Sequence, residues 1–315
     1  MIRARRHRRS LGALALAGAL LACDMPVEPV LTPVARPVRA PDPSVPVQTE
    51  PTSAKSAELR AYFASVQRAQ LSQGLLRQDG GGPDTPFTPD MLARNFRRIA
   101  FFNEYGGAGI GVSGRLRRWE DPVRMKVLFG PSVPPSQRSR DAADVRSYAA
   151  RLSRATGHPI TLSERPNFLV YFVSEDDRAD TISRTAPAAL GLSESALRPI
   201  LSLGDDIYCA VLSFARGPGR SDYVAAVAVI RAENPDLLRL SCIHEELAQG
   251  LGLANDSPSA RPSIFNDDDE FALLTGHDEI LLGLLYDARL RTGMTLPEAT
   301  PVIRILAREA LQGEL

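Results

Sequence analysis

The side chains best suited to chemistry in this sequence lie in one segment, CIHEELAQGLGLAND, from Cys242 to Asp256. Apolar residues recur there at four-residue spacing: Ile243, Leu247 and Leu251. This period predicts a helix with a buried face. Glu245 and Gln249, one turn apart, then share another face, with Glu246 beside them.

Two adjacent carboxylates on a mostly apolar helix are costly to desolvate, so Glu245 and Glu246 are expected to line a cleft or to meet partners. One hypothesis is a binding cleft. A second is an enzyme in which Glu246 is the general base and Glu245 is a ligand or a neighbour that raises its pKa toward the value that a base working near neutral pH needs. Gln249, Asn255 and Asp256 then orient water or substrate. A third is structural, with the carboxylates paired to arginines and the Asn-Asp pair capping the helix.

The spacing resembles the active-site helix of the metzincin metallopeptidases, HExxHxxGxxH. A register that starts at His244 fails, because the second ligand falls on Ala248. A register that starts at Glu245 puts a polar residue or glycine at every motif position. Glu246 then takes the position of the catalytic glutamate, and the remaining positions fall on Gln249, Gly252 and Asn255.

All three ligand histidines are missing from that register. Zinc in hydrolases is held by three protein ligands drawn from imidazole, carboxylate and thiolate. Gln249 and Asn255 offer only neutral carbonyl oxygens, which suit harder cations. We therefore predict no metal ligands and no cofactor, zinc included.

A longer resemblance covers the chain from about residue 56 to its end. It is similar to a Gram-negative family of lipoproteins catalogued as domain-of-unknown-function family 2927. Three segments carry the likeness: GGGPDTPFT (80–88), CIHEELAQGLGLAND (242–256) and PSIFNDDDEFALLTGHDEILLGLLYD (262–287). The family implies kinship without an established activity.

The N-terminus is predicted to be a signal peptide, residues 1–22, with an arginine-rich start and a short apolar run. It ends in Leu-Leu-Ala-Cys, which resembles a lipobox, so Cys23 is predicted to carry the lipid. The alternative is an ordinary secretory signal in which Cys23 is incidental. Residues 23–55 form the lipidated cysteine and a proline-rich linker. The expected location is the periplasmic face of a cell-envelope membrane, with Asp24 favouring the inner membrane.

Charge argues against a nucleic-acid partner. The 37 basic residues balance 37 acidic ones, and removal of the five arginines of the signal leaves 32 against 37. The mature chain is therefore mildly acidic. The expected partners are the membrane, through the lipid, and a peptide or cell-wall ligand. Two arginine clusters could form a basic patch for an anionic partner or could be solvated faces: Arg94, Arg97 and Arg98, and Arg115, Arg117 and Arg118.

Cysteine usage fits an exported protein. Once Cys23 is lipidated, Cys209 and Cys242 remain, and an oxidising compartment favours a disulfide between them. That bond would fasten a strand to the start of the helix. Two buried thiols are the alternative.

The predicted fold is α+β: a single zincin-like, metzincin-related domain at 56–315, with a mixed sheet and a central active-site-type helix. Helices are predicted at 56–73, 89–102, 141–156, 193–203, 278–286 and 297–311. Strands are predicted at 122–129, 167–174, 207–214 and 223–230. Strand, helix, strand and then a strand pair leading into the key helix is the order found in zincin-like folds.

Two further segments have open interpretations. Ser263 to Asn266 occupies the position of the metzincin Met-turn, with Phe265 in place of methionine, or is an ordinary turn. The acidic run 267–270 could bind a cation, although it lacks the pattern of an EF-hand, or could be a solvated loop. Together these observations favour a lipid-anchored envelope protein whose degenerate metallopeptidase-like domain binds or scaffolds in the old substrate cleft. A peptidase-like hydrolase with Glu246 as general base is the alternative.

Overall fold

The computed structural model describes residues 52–102 and 114–313. The predicted signal peptide, Cys23 and nearly all of the proline-rich linker lie outside these residues. None of the described helices is both long enough and apolar enough to cross a membrane.

The described residues form eight helices and six strands. The helices are α1 Ala54–Ser72, α2 Pro89–Phe101, α3 Pro135–Thr156, α4 Arg178–Leu190, α5 Glu194–Leu201, α6 Asp236–Gln249, α7 Gly276–Tyr286 and α8 Leu296–Gln312. The strands are β1 Arg118–Trp119, β2 Val123–Phe129, β3 Ile160–Leu162, β4 Phe168–Val173, β5 Cys209–Ala215 and β6 Asp222–Arg231.

The strands form one mixed sheet in the order β1-β6-β4-β2-β3, and β5 also pairs with β6. All pairings are parallel except that of β5 with β6. The register aligns Phe168 with Ala226 in β4 and β6, and Cys209 with Ile230 in β5 and β6. The prediction of a mixed sheet is confirmed, and the architecture is mixed α/β with mostly parallel strands.

Both faces of the central strands are covered, as expected for parallel strands. Phe168, Val170 and Phe172 of β4 enter the larger core, which also contains Leu247 and Leu251. The alternate residues of β4 pack with residues of α4 and α5 in a second cluster. This explains why β4 is apolar at every position and has no exposed residue.

The third helix begins earlier than the predicted start at Asp141. It starts at Pro135, which suits the first turn because proline lacks a donor that would be unpaired there. Asp141 lies inside the helix, where its carboxylate accepts a hydrogen bond from Nε of Arg239 at 2.7 Å. Burial raises the pKa of the Asp141 carboxyl against the opposing effect of that arginine. The first turns of α3 are polar (PSQRSR), so no apolar period marks this boundary in the sequence.

The 80–88 and 262–287 segments pack against each other. The carbonyl oxygen of Gly80 accepts a hydrogen bond from the backbone of Gly276 at 3.1 Å. The buried carboxylate of Asp278 accepts hydrogen bonds from Ser263 Oγ at 2.6 Å and from Ile264 N at 3.0 Å. The glycine run is therefore held as a turn against the start of α7. These two segments, which carry part of the likeness to the family, therefore share an architectural role.

Candidate functional site

The key helix is longer than the 242–256 segment alone suggested. It runs from Asp236 to Gln249 and buries Ile243 and Leu247 completely. The chain turns at Gly252, which has φ +128° and whose Cβ, if present, would lie 2.4 Å from the carbonyl oxygen of Arg117. Only glycine fits such a conformation and approach without distortion. The predicted turn glycine at position 252 thus has a steric reason.

The structure brings Glu245 and Glu246 together with the first residue of β5. One ligand-type atom each of Cys209, Glu245 and Glu246 lie within 4.8 Å of one another. Glu245 is half-buried, whereas Glu246 has 5% of its surface exposed. Two carboxylates therefore lie beside the start of β5, and one of them is largely shielded from water.

A disulfide fixes this arrangement. Cys209 and Cys242 are bonded, with a Cα–Cα distance of 5.9 Å. The bond joins β5 to α6 one turn before the carboxylates. The predicted pairing of a strand with the helix is confirmed, but Cys242 lies in the middle of α6 and not at its start.

The other three candidate residues form a separate hydrogen-bonded set. Gln249 is buried and its Nε2 donates to Oδ1 of Asp256 at 3.1 Å. Asn255 Nδ2 donates to the carbonyl oxygens of Asp256 at 2.5 Å and of Arg98 at 3.3 Å. These contacts tie the turn after α6 to itself and to α2. Gln249 and Asn255 thus already donate to protein acceptors.

His244 is an internal packing residue. Its Nδ1 accepts a hydrogen bond from Leu274 N at 3.0 Å, and its ring stacks on Tyr148 with centroids 4.0 Å apart. Burial, with the positive charge of Arg151, lowers the pKa of His244 to about 3. The imidazole is therefore neutral at physiological pH, with one nitrogen already engaged.

The residues present do not fit a catalytic zinc ion. Among the described residues, one group of metal-type side chains converges, Cys209 with Glu245 and Glu246. A thiolate is the metal ligand that cysteine provides, and the sulfur of Cys209 is bonded to Cys242. Two carboxylates remain, whereas a catalytic zinc site takes three protein ligands. No step of a mechanism is therefore assigned to zinc.

The outer edge of β5 adjoins the carboxylates, and the sequence did not single it out. Tyr208 O accepts from Arg231 N at 3.1 Å, so alternation in an antiparallel ladder turns the backbone groups of Ala210 and Leu212 toward β6. Those of Cys209, Val211 and Ser213 then point away. In the described part of the chain no strand pairs with this edge. The sequence signal that could have found this edge was a strand, β5, in a hairpin with a longer and more apolar strand, β6.

The 263–270 segment packs into the core at one end and is tied by its acidic run at the other. Phe265 is fully buried in the same core cluster as Leu247, which fits both the Met-turn and the ordinary-turn interpretation. Within the acidic run, Glu270 pairs with Arg77 and Arg261, and Asp269 accepts from Gln70 at 2.6 Å. This run anchors the loop to α1 and to the chain before α2.

Comparison with family models gives one match, over residues 89–305, to a family described as "Protein of unknown function (DUF2927)". A search of curated proteins gave no match, and a search of solved structures gave none either.

Proposed function

We propose that this chain, which belongs to the DUF2927 family of proteins of unknown function, is a lipid-anchored cell-envelope protein that binds an extended peptide. In this proposal the peptide lies along the outer edge of β5, beside Glu245 and Glu246 of α6. The domain is a degenerate relative of the metallopeptidases, with binding retained in the old substrate cleft. The lipid is carried by Cys23, and the protein faces the periplasm from the inner membrane.

The observation that carries the proposal is the convergence of the two carboxylates with Cys209, the residue at which β5 begins. An extended peptide can add to an exposed sheet edge through main-chain hydrogen bonds, while neighbouring side chains select its sequence. The outward backbone groups of Val211 and Ser213 supply the main-chain hydrogen bonds. Glu245, which is half-buried, is the side chain that selects the sequence, and its charge favours lysine or arginine in the peptide.

The order of elements supports the kinship with metallopeptidases. Strand β2, helix α3 and strands β3 and β4 come before the pair β5 and β6 that leads into α6, with helices α4 and α5 between β4 and β5. In that pair β5 is the antiparallel member. The metzincin-like register that starts at Glu245 also places the turn glycine of the motif at Gly252, where the backbone requires glycine. These features support the zincin-like assignment, and the absent ligand set supports loss of the metal chemistry.

Binding takes precedence over hydrolysis because of the burial of Glu246. A general base must reach the proton that it removes, directly or through one water molecule. Glu246 is 5% exposed, and Gln249 already donates to Asp256. The alternative is a peptidase-like hydrolase with Glu246 as base and a nonstandard or absent metal site, and the proximity of Glu245 is what favours it.

The test uses short fluorescent peptides with lysine, glutamate or alanine at successive positions, titrated against the purified full chain and read by anisotropy. Ser213→Pro removes an outward N–H while leaving the bonds to β6 in place. Ser213→Ala is the matched control, since it removes only the side-chain hydroxyl, which donates weakly to Gly250 O at 3.4 Å. We expect a lysine preference and a loss of about tenfold or more with Ser213→Pro, the scale of one lost backbone hydrogen bond or more.

A Ser213→Pro variant that keeps its thermal transition and binds like the wild type would contradict strand addition. Mass spectrometry of the same peptides separates binding from hydrolysis. Intact peptides support binding. Cleavage that Glu246→Gln abolishes, without loss of fold, would establish the hydrolase instead.

A further inference from the structure

A second site lies away from the carboxylates, in a cleft of about 1090 Å³. Three chain segments line it: the turn between β5 and β6, the chain entering β1, and the connection between α7 and α8. Its charged residues are five arginines and two acids: Arg115, Arg118, Arg216, Arg220, Arg291, Glu120 and Asp222. An adjoining cavity shares Arg115 and Arg220. In a chain with a mildly acidic mature form, this is a local excess of positive charge.

The two acids do not neutralise the cleft. Asp222 accepts from Nε of Arg216 at 2.7 Å and from Nε of Arg220 at 2.9 Å. These guanidinium groups lower the pKa of Asp222 to about 2. Arg216 also pairs with Asp121 at 2.9 Å, so its charge is largely offset, whereas Arg220 shares the single carboxylate of Asp222. Glu120 lies 3.5 Å from Nε of Arg118.

Two arginines retain donors that the protein does not use. Arg115 donates Nη1 to Gly293 O at 2.9 Å, which leaves other N–H groups of its guanidinium available. Arg291 makes no side-chain hydrogen bond or ion pair within residues 52–102 and 114–313. Both are exposed side chains at the mouth of the cleft.

A serine on the wall of the cleft adds an independent observation. Ser221 is 7% exposed and lines both cavities. Its side chain has no hydrogen-bond partner in the described chain. Its Oγ faces Gly293, since a Cβ placed on that glycine would lie 3.9 Å from it. A serine hydroxyl that has no protein partner can donate to an acceptor that enters the cleft.

We infer that this cleft binds a phosphate group, through Arg115, Arg220, Arg291 and Ser221. Guanidinium forks donate two parallel hydrogen bonds to phosphate oxygens. A carboxylate has two oxygens in one plane, whereas a phosphate accepts from several directions. The donors here come from three separate chain segments that line one cleft, which suits an anion that accepts from several directions. The phosphate is that of a free phosphate or monoester, or that of a phospholipid headgroup.

The test is calorimetric titration of the full chain, in low-salt buffer, with three probes: inorganic phosphate, glycerol 3-phosphate, and glycerophosphoglycerol as the diester of a lipid headgroup. The double variant Arg115→Gln/Arg291→Gln and the single variant Ser221→Ala test the site. Arg60→Gln is the matched control, because Arg60 is an exposed arginine of α1 that lines neither cavity. We expect about tenfold or greater weakening in the double variant, as for lost charge-assisted hydrogen bonds, and no change in Arg60→Gln.

Tighter binding of the inorganic ion or the monoester would assign the source as a free phosphate. Tighter binding of the diester would assign it as a lipid headgroup. Either pattern supports the site if Arg115→Gln/Arg291→Gln weakens the binding of the preferred probe. Absence of binding by all three probes, or equal weakening by Arg60→Gln, would overturn the inference, the latter because only general charge attraction would then be at work.

Discussion

Leu274 donates its backbone N–H to Nδ1 of His244 across 3.0 Å, and this bond joins the middle of α6 to the chain just before α7. The imidazole lies next to Glu245 in sequence, yet its hydrogen bond and its stacking on Tyr148 engage it in the interior. The histidine nearest the candidate site therefore organises the helix and is held as a neutral acceptor.

This histidine makes stability depend on pH. Its folded pKa of about 3 lies below the usual 6.5, so the unfolded chain binds the extra proton first. The stabilisation is present above pH 6.5 and is lost as the pH falls toward 3. At pH 5 the loss is about 2 kcal/mol relative to pH 8, at roughly 1.4 kcal/mol per pH unit.

The measurement is urea denaturation at pH 5 and pH 8, for the wild type and for His244→Gln. Glutamine can still accept from Leu274 N but does not titrate, so its stability should change less between the two pH values. Equal pH dependence in the two proteins would show that His244 is not the titrating group.

The disulfide is expected to contribute substantially to stability. It closes a loop with a sequence separation of 33 residues, for which the chain-entropy estimate is about 3 to 4 kcal/mol. The double variant Cys209→Ser/Cys242→Ser should lose about this much in guanidinium denaturation. Adding reductant should lower the stability of the wild type and leave the variant unaffected. A wild type insensitive to complete reduction would contradict the prediction.

Arg231 is expected to be a sensitive position. Its side chain is fully buried; it donates to Glu175 Oε2 at 2.6 Å and to Ile207 O at 2.8 Å. Arg231→Ala should cost about 3 to 5 kcal/mol, since it breaks a buried ion pair and leaves Ile207 O without its donor, although Arg178 still donates to Glu175. Arg184→Ala is the control: its ion pair with Asp180 is exposed and should contribute less than about 0.5 kcal/mol. Similar losses in both variants, measured by thermal denaturation, would refute the distinction.

Alanine substitutions at Gly252 and Gly157 separate the stability cost of a steric clash from the cost of a left-handed backbone. Both have positive φ, but a Cβ at Gly252 would meet Arg117 O at 2.4 Å, whereas at Gly157 it would meet nothing within 4 Å. Gly157→Ala should cost about 1 to 2 kcal/mol, the price of left-handed backbone alone. Gly252→Ala should cost more than about 3 kcal/mol because the backbone must also shift. Denaturant midpoints measure both, and equal losses would mean that the turn after α6 relaxes freely.

Helices and strands with a regular apolar spacing were predicted well, because that spacing is visible among residues close together in the sequence. The four-residue period of Ile243, Leu247 and Leu251 predicted the buried face of α6 and of the turn that follows it, and all three residues are fully buried. The apolar run at 167–174 gave the central strand β4. The start of α3 and the whole of α4 escaped, because neither has a regular apolar period at its beginning. Contacts between side chains that are far apart in the sequence were not predicted, because a local pattern does not show which segments meet.

The sequence by itself determined the family, the helix that bears Glu245 and Glu246, the turn glycine at 252 and the pair of cysteines available for a disulfide. These depend on residue type and on spacing within a few turns of chain. Only the tertiary structure decided that His244 is engaged in the interior, that Glu246 is shielded, and that Arg115, Arg220 and Arg291 share one cleft. Burial and electrostatic environment depend on neighbours that folding brings from distant segments, and local pattern does not encode them.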